Sequence, residues 1–206
     1  MCLPGGAGSS IIVRMAAEFS VKPTLVGARV VLRPFVDGDF PAIREALRDP
    51  EVVRLTGSRP IVWDEAAEVR MREWYGTRGD QPDRLDLAVE ERATGAWVGE
   101  VVLNEWDPRN ETCNFRTMFG PRGRDRGLGT EAVRLLVGYG FEQLGMHRIG
   151  LEVYSFNPRA RRAYEKVGFV AEGVLRDALR TPDGRADATV MSILADEWKG
   201  GQDQAG

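Results

Sequence analysis

The chain alternates between two spacings of apolar residues, and each change of spacing marks the boundary of a predicted element. Apolar residues at every second position predict strands, because successive side chains of a strand point to opposite faces of a sheet. Pro182-Asp183-Gly184 is typical of a tight turn, and the apolar segments on either side of it predict a closing hairpin. The other predicted strands are residues 28–35, 85–91, 97–106, 113–119 and 148–154.

Four further segments predict helices from their apolar spacing or from their end signals. Asp64 stands near the start of the second predicted helix, residues 63–75, and Pro50 lies just beyond the end of the first, residues 37–47. Asn157 is a good N-cap for the last helix, and Gly168 is suited to ending it, since glycine readily adopts the left-handed backbone of a helix end. The four segments are residues 37–47, 63–75, 128–145 and 157–167.

The long third helix begins in an unusual sequence, RGRDRGLG at residues 122–129, which combines three glycines with three arginines. The first N–H groups of a helix have no partner within it, and the helix dipole adds about half a positive charge there. Glycines remove the Cβ atoms that would keep a ligand away from those N–H groups, and arginines add positive charge. The pattern is therefore suited to a phosphate or pyrophosphate, although a flexible connection with solvated arginines would also account for it.

Composition limits the class of protein. The chain has 206 residues, of which 43% are hydrophobic and 29% charged, as in a globular domain. A net charge of −3 disfavours a nucleic-acid partner, and no window approaches the roughly 18 apolar residues of a membrane span. Cys2 and Cys113 are too few for a disulfide framework, which favours a cytoplasmic location, and 25 arginines against three lysines favour a bacterial source. The single histidine, His147, excludes a metal site built from two histidines.

The chain is predicted to form one domain, from residue 21 to residue 199. Residues 1–20 lack periodicity, a basic leader and an unbroken apolar run, so we predict a disordered or vector-derived tail rather than a signal peptide. Residues 200–206 are predicted to be a flexible C-terminal tail.

The glycine pattern GLGTEA at 127–132 also satisfies the dinucleotide-binding fingerprint GxGxxG/A, and Glu152 lies about twenty residues further on. In that fold the strand leads almost directly into the first glycine. Here the polar segment 120–126 separates Phe119 from the first glycine, and too few elements follow for a doubly wound sheet. The dinucleotide interpretation is therefore disfavoured.

Two motifs resemble those of the GNAT superfamily of N-acetyltransferases. RDRGLG at 124–129 fits the acetyl-CoA loop [Q/R]xxGx[G/A], and NPRARRAYEKVGF at 157–169 is similar to the N-x-x-A…Y-x-K-x-G-F segment. The similarity extends over about residues 28–198 and is strongest to the ribosomal-protein-alanine and polyamine acetyltransferase branch. It implies an α+β fold with a mixed, mostly antiparallel sheet of about seven strands and about four helices. The sheet would be splayed between the fourth and fifth strands, and a homodimer is possible.

The resemblance implies that acetyl-CoA is the co-substrate and lies in this splay. The backbone of the fourth strand would hold the pantetheine arm, and the N–H groups that open the long helix would hold the pyrophosphate. Arg124 and Arg126 would neutralise its charge, and Asn157 would contact the cofactor arm, cap its helix, or do both. The strand and helix-start residues are Thr117, Met118, Phe119, Gly127, Leu128, Gly129 and Thr130.

Tyr164 has two interpretations. The motif implies a general acid that protonates the departing CoA thiolate, whereas its place on the apolar helix face is equally typical of a core residue. A carboxylate could serve as the base, with Glu100 and Glu105 as the main candidates and Glu152 across the splay as another. Strand alternation puts Glu100 and Glu105 on opposite faces, so that at most one of them faces the site.

The sequence thus predicts an acetyl-CoA-dependent N-acetyltransferase in which a primary amine attacks directly. A protein or peptide N-terminus is slightly favoured as acceptor, since an α-amine near pKa ~7.8 is easier to deprotonate than a lysine or polyamine near ~10.4. A polyamine or aminoglycoside remains the alternative, as does a CoA-binding sensor without catalysis. Residues 56–86, which include Trp63, Trp74 and Tyr75, are expected to shape the acceptor pocket.

Overall fold

The computed structural model describes residues 19–198, which are built around one eight-stranded mixed sheet. The strands follow the order β1-β2-β3-β4-β5-β6-β8-β7, and every neighbouring pair is antiparallel except β5 and β6, which are parallel. The strands are β1 Leu25–Val26, β2 Val30–Arg33, β3 Leu85–Glu91, β4 Ala96–Asp107, β5 Thr112–Phe119, β6 Arg148–Tyr154, β7 Val170–Thr181 and β8 Gly184–Leu194.

Five α-helices cover the sheet, and their ends follow the capping signals in the sequence. Asp64 accepts a hydrogen bond from the N–H of Ala67 at the start of α3, and Asn157 accepts one from Ala160 at the start of α5. Gly168 ends α5 with a φ of 118°, a left-handed value that favours glycine. The helices are α1 Phe40–Arg48, α2 Pro50–Thr56, α3 Glu65–Gly76, α4 Leu128–Glu142 and α5 Pro158–Val167.

The two faces of the sheet bury two different apolar clusters. Leu87 and Ala88 are adjacent on β3, so their side chains point to opposite faces. Leu87 belongs to the larger cluster, with side chains of α4 and α5, and Ala88 to the smaller one, with side chains of α1, α2 and α3. The sheet is thus the middle layer, and the two helix groups lie on either side of it.

Among the described strands, β5 and β6 form the single parallel pair, and they separate after three paired residues. Thr112, Cys113 and Asn114 pair with Arg148, Ile149 and Gly150, and no later residue of β5 has a partner on β6. Beyond this point β5 remains paired with β4 as far as Phe119, and β6 remains paired with β8 as far as Tyr154. The sheet therefore splits into two arms between β5 and β6, which confirms the predicted splay.

The predicted elements are confirmed in type, with two additions. β1 was not predicted, because two residues are too few to show a period. α2 was not predicted, because a proline just beyond a helix is also typical of a helix end. Pro50 is in fact the first residue of α2, and Asp49 is its N-cap, with a carboxylate that accepts from the N–H of Val52. Residues 19–198 thus contain eight strands and five α-helices, against the prediction of about seven strands and about four helices.

The N-terminal boundary of the domain also differs from the prediction. Phe19, assigned to the tail, is only 1% exposed and packs on Trp106 with ring centroids 5.0 Å apart. The domain therefore includes at least the last two residues of the predicted tail. The rest of that tail and the C-terminal tail lie outside the described residues. Within residues 19–198, no helix combines the length and the apolar character needed to span a membrane.

Candidate active site

A cleft of about 280 Å³ lies where β5 and β6 separate. Its walls come from the end of β5, the glycine-rich loop, the starts of α4 and α5, and the last turns of α2. Nine of the predicted site residues line it: Thr117, Met118, Phe119, Arg124, Gly127, Gly129, Thr130, Asn157 and Tyr164. The structure therefore brings the two sequence motifs, about 30 residues apart in the chain, to one cavity.

The end of β5 presents unpaired backbone to the cleft. Residues 115–119 pair with β4 on one side, but on the side of β6 they have no strand partner. The hydroxyl of Thr117 donates to the carbonyl oxygen of Glu100 at 2.7 Å, which fixes this side chain on β4 and leaves the other edge of β5 open. An extended chain with amide groups could add to that edge in the manner of a strand.

The start of α4 is arranged to leave its N–H groups available. Gly127 takes a φ of 75° at the N-cap position, and no side chain caps the helix. The side chain of Leu128 is fully buried in the core and holds the first turn in place, so only its backbone can contact a ligand. A Cβ atom on Gly129 would lie 3.4 Å from the ring of Phe119, within space that adjoins the cleft.

Gly123 has a different role from the glycines at the helix start. A Cβ at this position would come within 2.5 Å of the carbonyl oxygen of Val98, so glycine is required here for packing. Gly127 is suited to its left-handed φ of 75°, whereas the missing side chain of Gly129 leaves space at the helix start.

The two motif arginines differ in position. Arg124 lines the cleft with a side chain that is 9% exposed, and it bonds to Asp49 at 2.7 Å and to Glu51. Its Nε is buried and has no hydrogen-bond partner among the described residues. Arg126 bonds instead to Glu91 on β3 and is not among the residues that line the cleft. Both guanidinium groups are thus paired with carboxylates, and Arg124 alone adjoins the cleft.

Asn157 and Tyr164 come from α5. The side-chain oxygen of Asn157 caps the helix at 3.1 Å from the Ala160 nitrogen, and the residue also lines the cleft, so both interpretations are compatible with its position. Tyr164 is 7% exposed and packs edge-to-face on Phe115. Burial raises the pKa of the Tyr164 phenol above its usual value, so the hydroxyl keeps its proton at neutral pH. Tyr164 therefore belongs to the core and to the cleft wall at once.

The two candidate bases lie in contrasting environments. Glu100 stands directly opposite Met118 in the β4–β5 register, so both side chains lie on the same face of the sheet. The Tyr75 hydroxyl donates to Glu100, one carboxylate oxygen of which is buried without a partner among the described residues. Burial raises the pKa of Glu100 to about 7, and the bond from Tyr75 only partly opposes this effect. Glu105 is exposed, with a φ of 53°, at a bulge in β4.

Several cleft residues were not predicted. Val52, Leu55 and Thr56 of α2 form one wall. Thr56 begins the segment 56–86 that is expected to shape the acceptor pocket, whereas Val52 and Leu55 were not predicted, because the helix that carries them was not. The dipeptide Asp49-Pro50 was the available signal, since aspartate is a strong N-cap and proline suits the first helical position.

Comparison with known proteins agrees with this geometry. The family model described as an acetyltransferase (GNAT) domain matches residues 29–170. The chain is 27% identical over 172 residues to the uncharacterized N-acetyltransferase YoaA of Bacillus subtilis (strain 168), covering 84% of this chain and 97% of that protein. It is 27% identical over 146 residues to the spermidine N(1)-acetyltransferase of Escherichia coli (strain K12), covering 71% of this chain and 75% of that protein.

Among solved structures, spermidine N-acetyltransferase from Vibrio cholerae in complex with CoA and spermine superposes with a TM-score of 0.74. The two chains are 23% identical, and the match covers 83% of this chain and 98% of that one. At this identity the likeness shows the shared fold.

Proposed function

The chain belongs to the GNAT acetyltransferase family, and from that premise we propose that it moves the acetyl group of acetyl-CoA directly to a primary amine, with a protein or peptide N-terminus as preferred acceptor. That it is an N-acetyltransferase that uses acetyl-CoA follows from its family. The placement of the co-substrate, the roles of individual residues and the acceptor class are our proposals.

One observation carries the placement of acetyl-CoA: the open edge of β5 and the uncapped start of α4 adjoin the same cleft. Residues 115–119 would bond to the amides of the pantetheine arm, and the N–H groups of Leu128, Gly129 and Thr130 would bond to the pyrophosphate. Arg124, at the cleft wall, would contribute positive charge. The acetyl group would then lie toward the narrow end of the splay.

Glu100 would act as the general base and Tyr164 as the general acid. Glu100 accepts a proton from the ammonium group of the acceptor, and the neutral amine nitrogen attacks the thioester carbonyl carbon. The C–S bond then breaks, and Tyr164 donates its phenolic proton to the thiolate sulfur. The acylated nitrogen still carries one proton more than an amide, and it releases that proton to solvent to become the amide of the acceptor. Solvent returns a proton to Tyr164 and removes the one on Glu100. A water molecule would link Glu100 to the amine, because this carboxylate does not itself line the cleft.

The pKa of about 7 at Glu100 supports the choice of acceptor. Transfer of a proton to this carboxylate from an α-ammonium near ~7.8 is uphill by about 1 kcal/mol, whereas transfer from a lysine or polyamine near ~10.4 is uphill by about 4.6 kcal/mol. An N-terminus thus matches this base better. The similarity to the spermidine N(1)-acetyltransferase of Escherichia coli favours a small amine as the second candidate.

Release of free thiol from acetyl-CoA, measured over a panel of N-terminal peptides and polyamines, tests the acceptor class. We expect the higher kcat/KM with a peptide. A higher kcat/KM with spermidine would indicate that the acceptor is a small amine and not a peptide. Binding of acetyl-CoA without turnover of any acceptor would indicate a sensor.

Gly129→Val tests the placement of the pyrophosphate. Its Cβ lies at an ordinary contact distance from Phe119, so the variant should fold, but its methyl groups would crowd the helix start. We expect the KM for acetyl-CoA to rise by at least tenfold, about 1.4 kcal/mol. An unchanged KM in the folded variant would mean that this loop only connects β5 to α4.

A further inference from the structure

Five charged side chains form a continuous chain of ion pairs at the rim of the cleft, which we call the rim network. Asp49 and Glu51 both bond to Arg124. Glu51 also bonds to Arg159 at 3.2 Å, and Arg159 bonds to Asp125 at 2.7 Å. Glu51 is thus shared between two guanidinium groups and is the central carboxylate of the network.

The rim network connects three elements that enclose the cleft. Glu51 belongs to α2, Arg124 to the glycine-rich loop and Arg159 to α5, and all three elements contribute lining residues. The ion pair between Glu51 and Arg159 therefore runs from one wall of the cleft to another. Arg124 and Arg159 themselves line the cleft, as do Arg162 and Lys166, and Glu51 bonds to the first two of these four cations.

The carboxylates of the rim network already occupy both of its guanidinium groups. Three carboxylates face two guanidinium groups, whereas Arg162 and Lys166, which also line the cleft, lie outside the network. A dianionic pyrophosphate at the start of α4 could therefore bond to the two guanidinium groups of the network only if a carboxylate withdrew. Glu51 can withdraw at low cost, since its side chain is 46% exposed and water can solvate it. Asp49 cannot, because its carboxylate also caps α2.

We propose that Glu51 competes with the pyrophosphate of acetyl-CoA for the guanidinium groups of Arg124 and Arg159. Its ion pair with Arg159 breaks when acetyl-CoA binds and forms again when CoA leaves. Glu51 therefore lowers the affinity for both forms of the co-substrate and speeds release of the product. This inference rests on the proposed position of the pyrophosphate.

Glu51→Gln tests the competition, because it removes the charge but keeps an oxygen that can bond to Arg124. We expect the Kd for acetyl-CoA and for CoA, measured by calorimetry at low salt, to fall about three- to fivefold, as for the loss of a partly exposed ion pair. The dissociation rate of CoA in stopped-flow experiments should fall in proportion. The gain in affinity of Glu51→Gln over wild type should be smaller at high salt.

Glu45→Gln is the matched control. Glu45 is a similarly exposed carboxylate, 3.5 Å from Arg122 and outside the rim network, so its loss should change the Kd by less than about 1.5-fold. Pantetheine, which lacks the pyrophosphate, should bind equally to wild type and to Glu51→Gln. In an Arg159→Gln background the effect of Glu51→Gln should be reduced, because the two residues act as a pair.

Unchanged or weaker binding of acetyl-CoA by a folded Glu51→Gln protein would overturn the inference, as would an equal gain for Glu45→Gln or for pantetheine. These outcomes can be separated from a failure of the proposed function. If Gly129→Val weakens binding and Glu51→Gln has no effect, the position of the pyrophosphate stands and the competition by Glu51 is wrong. If Gly129→Val binds normally, both are wrong.

Discussion

Tyr164 illustrates how one side chain can satisfy the core and the cleft together. Its ring packs against Phe115 and Phe169, with centroids 6.1 and 5.9 Å away, while the residue also lines the cleft. A phenol held by two rings is fixed in position, which is what a proton donor requires. The sequence could indicate both roles but could not separate them, since a periodic apolar face and a motif position coincide at this residue.

Tyr164→Phe removes only the hydroxyl, so the packing should survive and the free energy of unfolding should change by about 1 kcal/mol or less. If the hydroxyl protonates the thiolate, kcat should fall on the order of 10²-fold while the KM for acetyl-CoA barely changes. Steady-state kinetics with a good acceptor provide the measurement. A kcat near that of wild type would assign Tyr164 to the core and leave proton delivery to water.

Tyr75 and Glu100 form a second pair, whose hydrogen bond the sequence could not reveal. The two residues belong to different elements, α3 and β4, and no local spacing relates them. Tyr75 also packs edge-to-face on Phe35 at 4.9 Å, so its ring is held independently of the hydroxyl. The bond from Tyr75 stabilises the ionised form of Glu100 against the effect of burial.

Tyr75→Phe should therefore raise the pKa of Glu100 further. The acid limb of kcat/KM against pH, measured with one acceptor, should move to higher pH by about 1 to 2 units, the equivalent of one hydrogen bond to a charged group. Glu100→Gln should instead lower kcat/KM at every pH. An acid limb at the same pH in Tyr75→Phe as in wild type would remove Glu100 from the role of base.

The same group makes stability depend on pH. The pKa of Glu100 in the folded protein, about 7, lies above its ordinary value of 4.5, so its contribution to stability is complete below pH 4.5 and is lost as pH rises from there through 7. Relative to Glu100→Gln, wild type should therefore lose stability in thermal unfolding between about pH 4.5 and pH 7 and little more at higher pH.

At the scale of elements, short helices with strong caps proved harder to predict than long periodic ones. α4 was evident from its apolar face, whereas the seven residues of α2 show no period and depend on Asp49 at their start. The carboxylate of Asp49 is held by the N–H of Val52 and by Arg124. These bonds outweigh burial and keep the pKa of Asp49 below its usual value. α2 is thus fixed by contacts with a residue 75 positions away in the chain.

Asp49→Ala and Asp49→Asn separate the two roles of this side chain. Asparagine can still cap α2, so it should lose only the ion pair, whereas alanine should lose the cap as well and cost about 1 kcal/mol more. Urea unfolding of both variants gives the difference. Because α2 forms a wall of the cleft, the KM for acetyl-CoA should rise more in Asp49→Ala. Equal stability of the two variants would show that α2 does not depend on its cap.

At the scale of the whole molecule, the closing hairpin and the place of the splay were predicted from the sequence, but the full order of the strands and the width of the opening between the arms were not. The turn at Pro182-Asp183-Gly184 and the family motifs were sufficient to predict the hairpin and the splay. The register that ends at Asn114 and Gly150 depends on packing of both helix layers, which no local pattern encodes. Contacts between distant segments, such as those of the rim network, could not be predicted from the sequence for the same reason.

Binding of acetyl-CoA in the splay should stabilise the whole domain. Three residue pairs join β5 to β6, so a ligand held by the β5 edge and by α4 and α5 would add contacts across the short junction between the two arms of the sheet. Ligand at 100 times its Kd stabilises a protein by about 2.7 kcal/mol, which corresponds to a rise in Tm of about 5 to 10 °C for a domain of this size. We expect a rise of this order in thermal unfolding with saturating acetyl-CoA.

Fragments of acetyl-CoA show which contacts produce this rise. Pantetheine would reach only the edge of β5, and adenosine 3′,5′-diphosphate only the start of α4 and the rim of the cleft. At equal concentration each should therefore raise Tm by less than acetyl-CoA, because neither contacts all the elements that adjoin the junction. Gly129→Val should lose most of the rise with the diphosphate and keep the rise with pantetheine, since its methyl groups lie at the helix start and away from β6. A full rise with the diphosphate alone would mean that the ligand stabilises α4 and the rim without joining the two arms of the sheet.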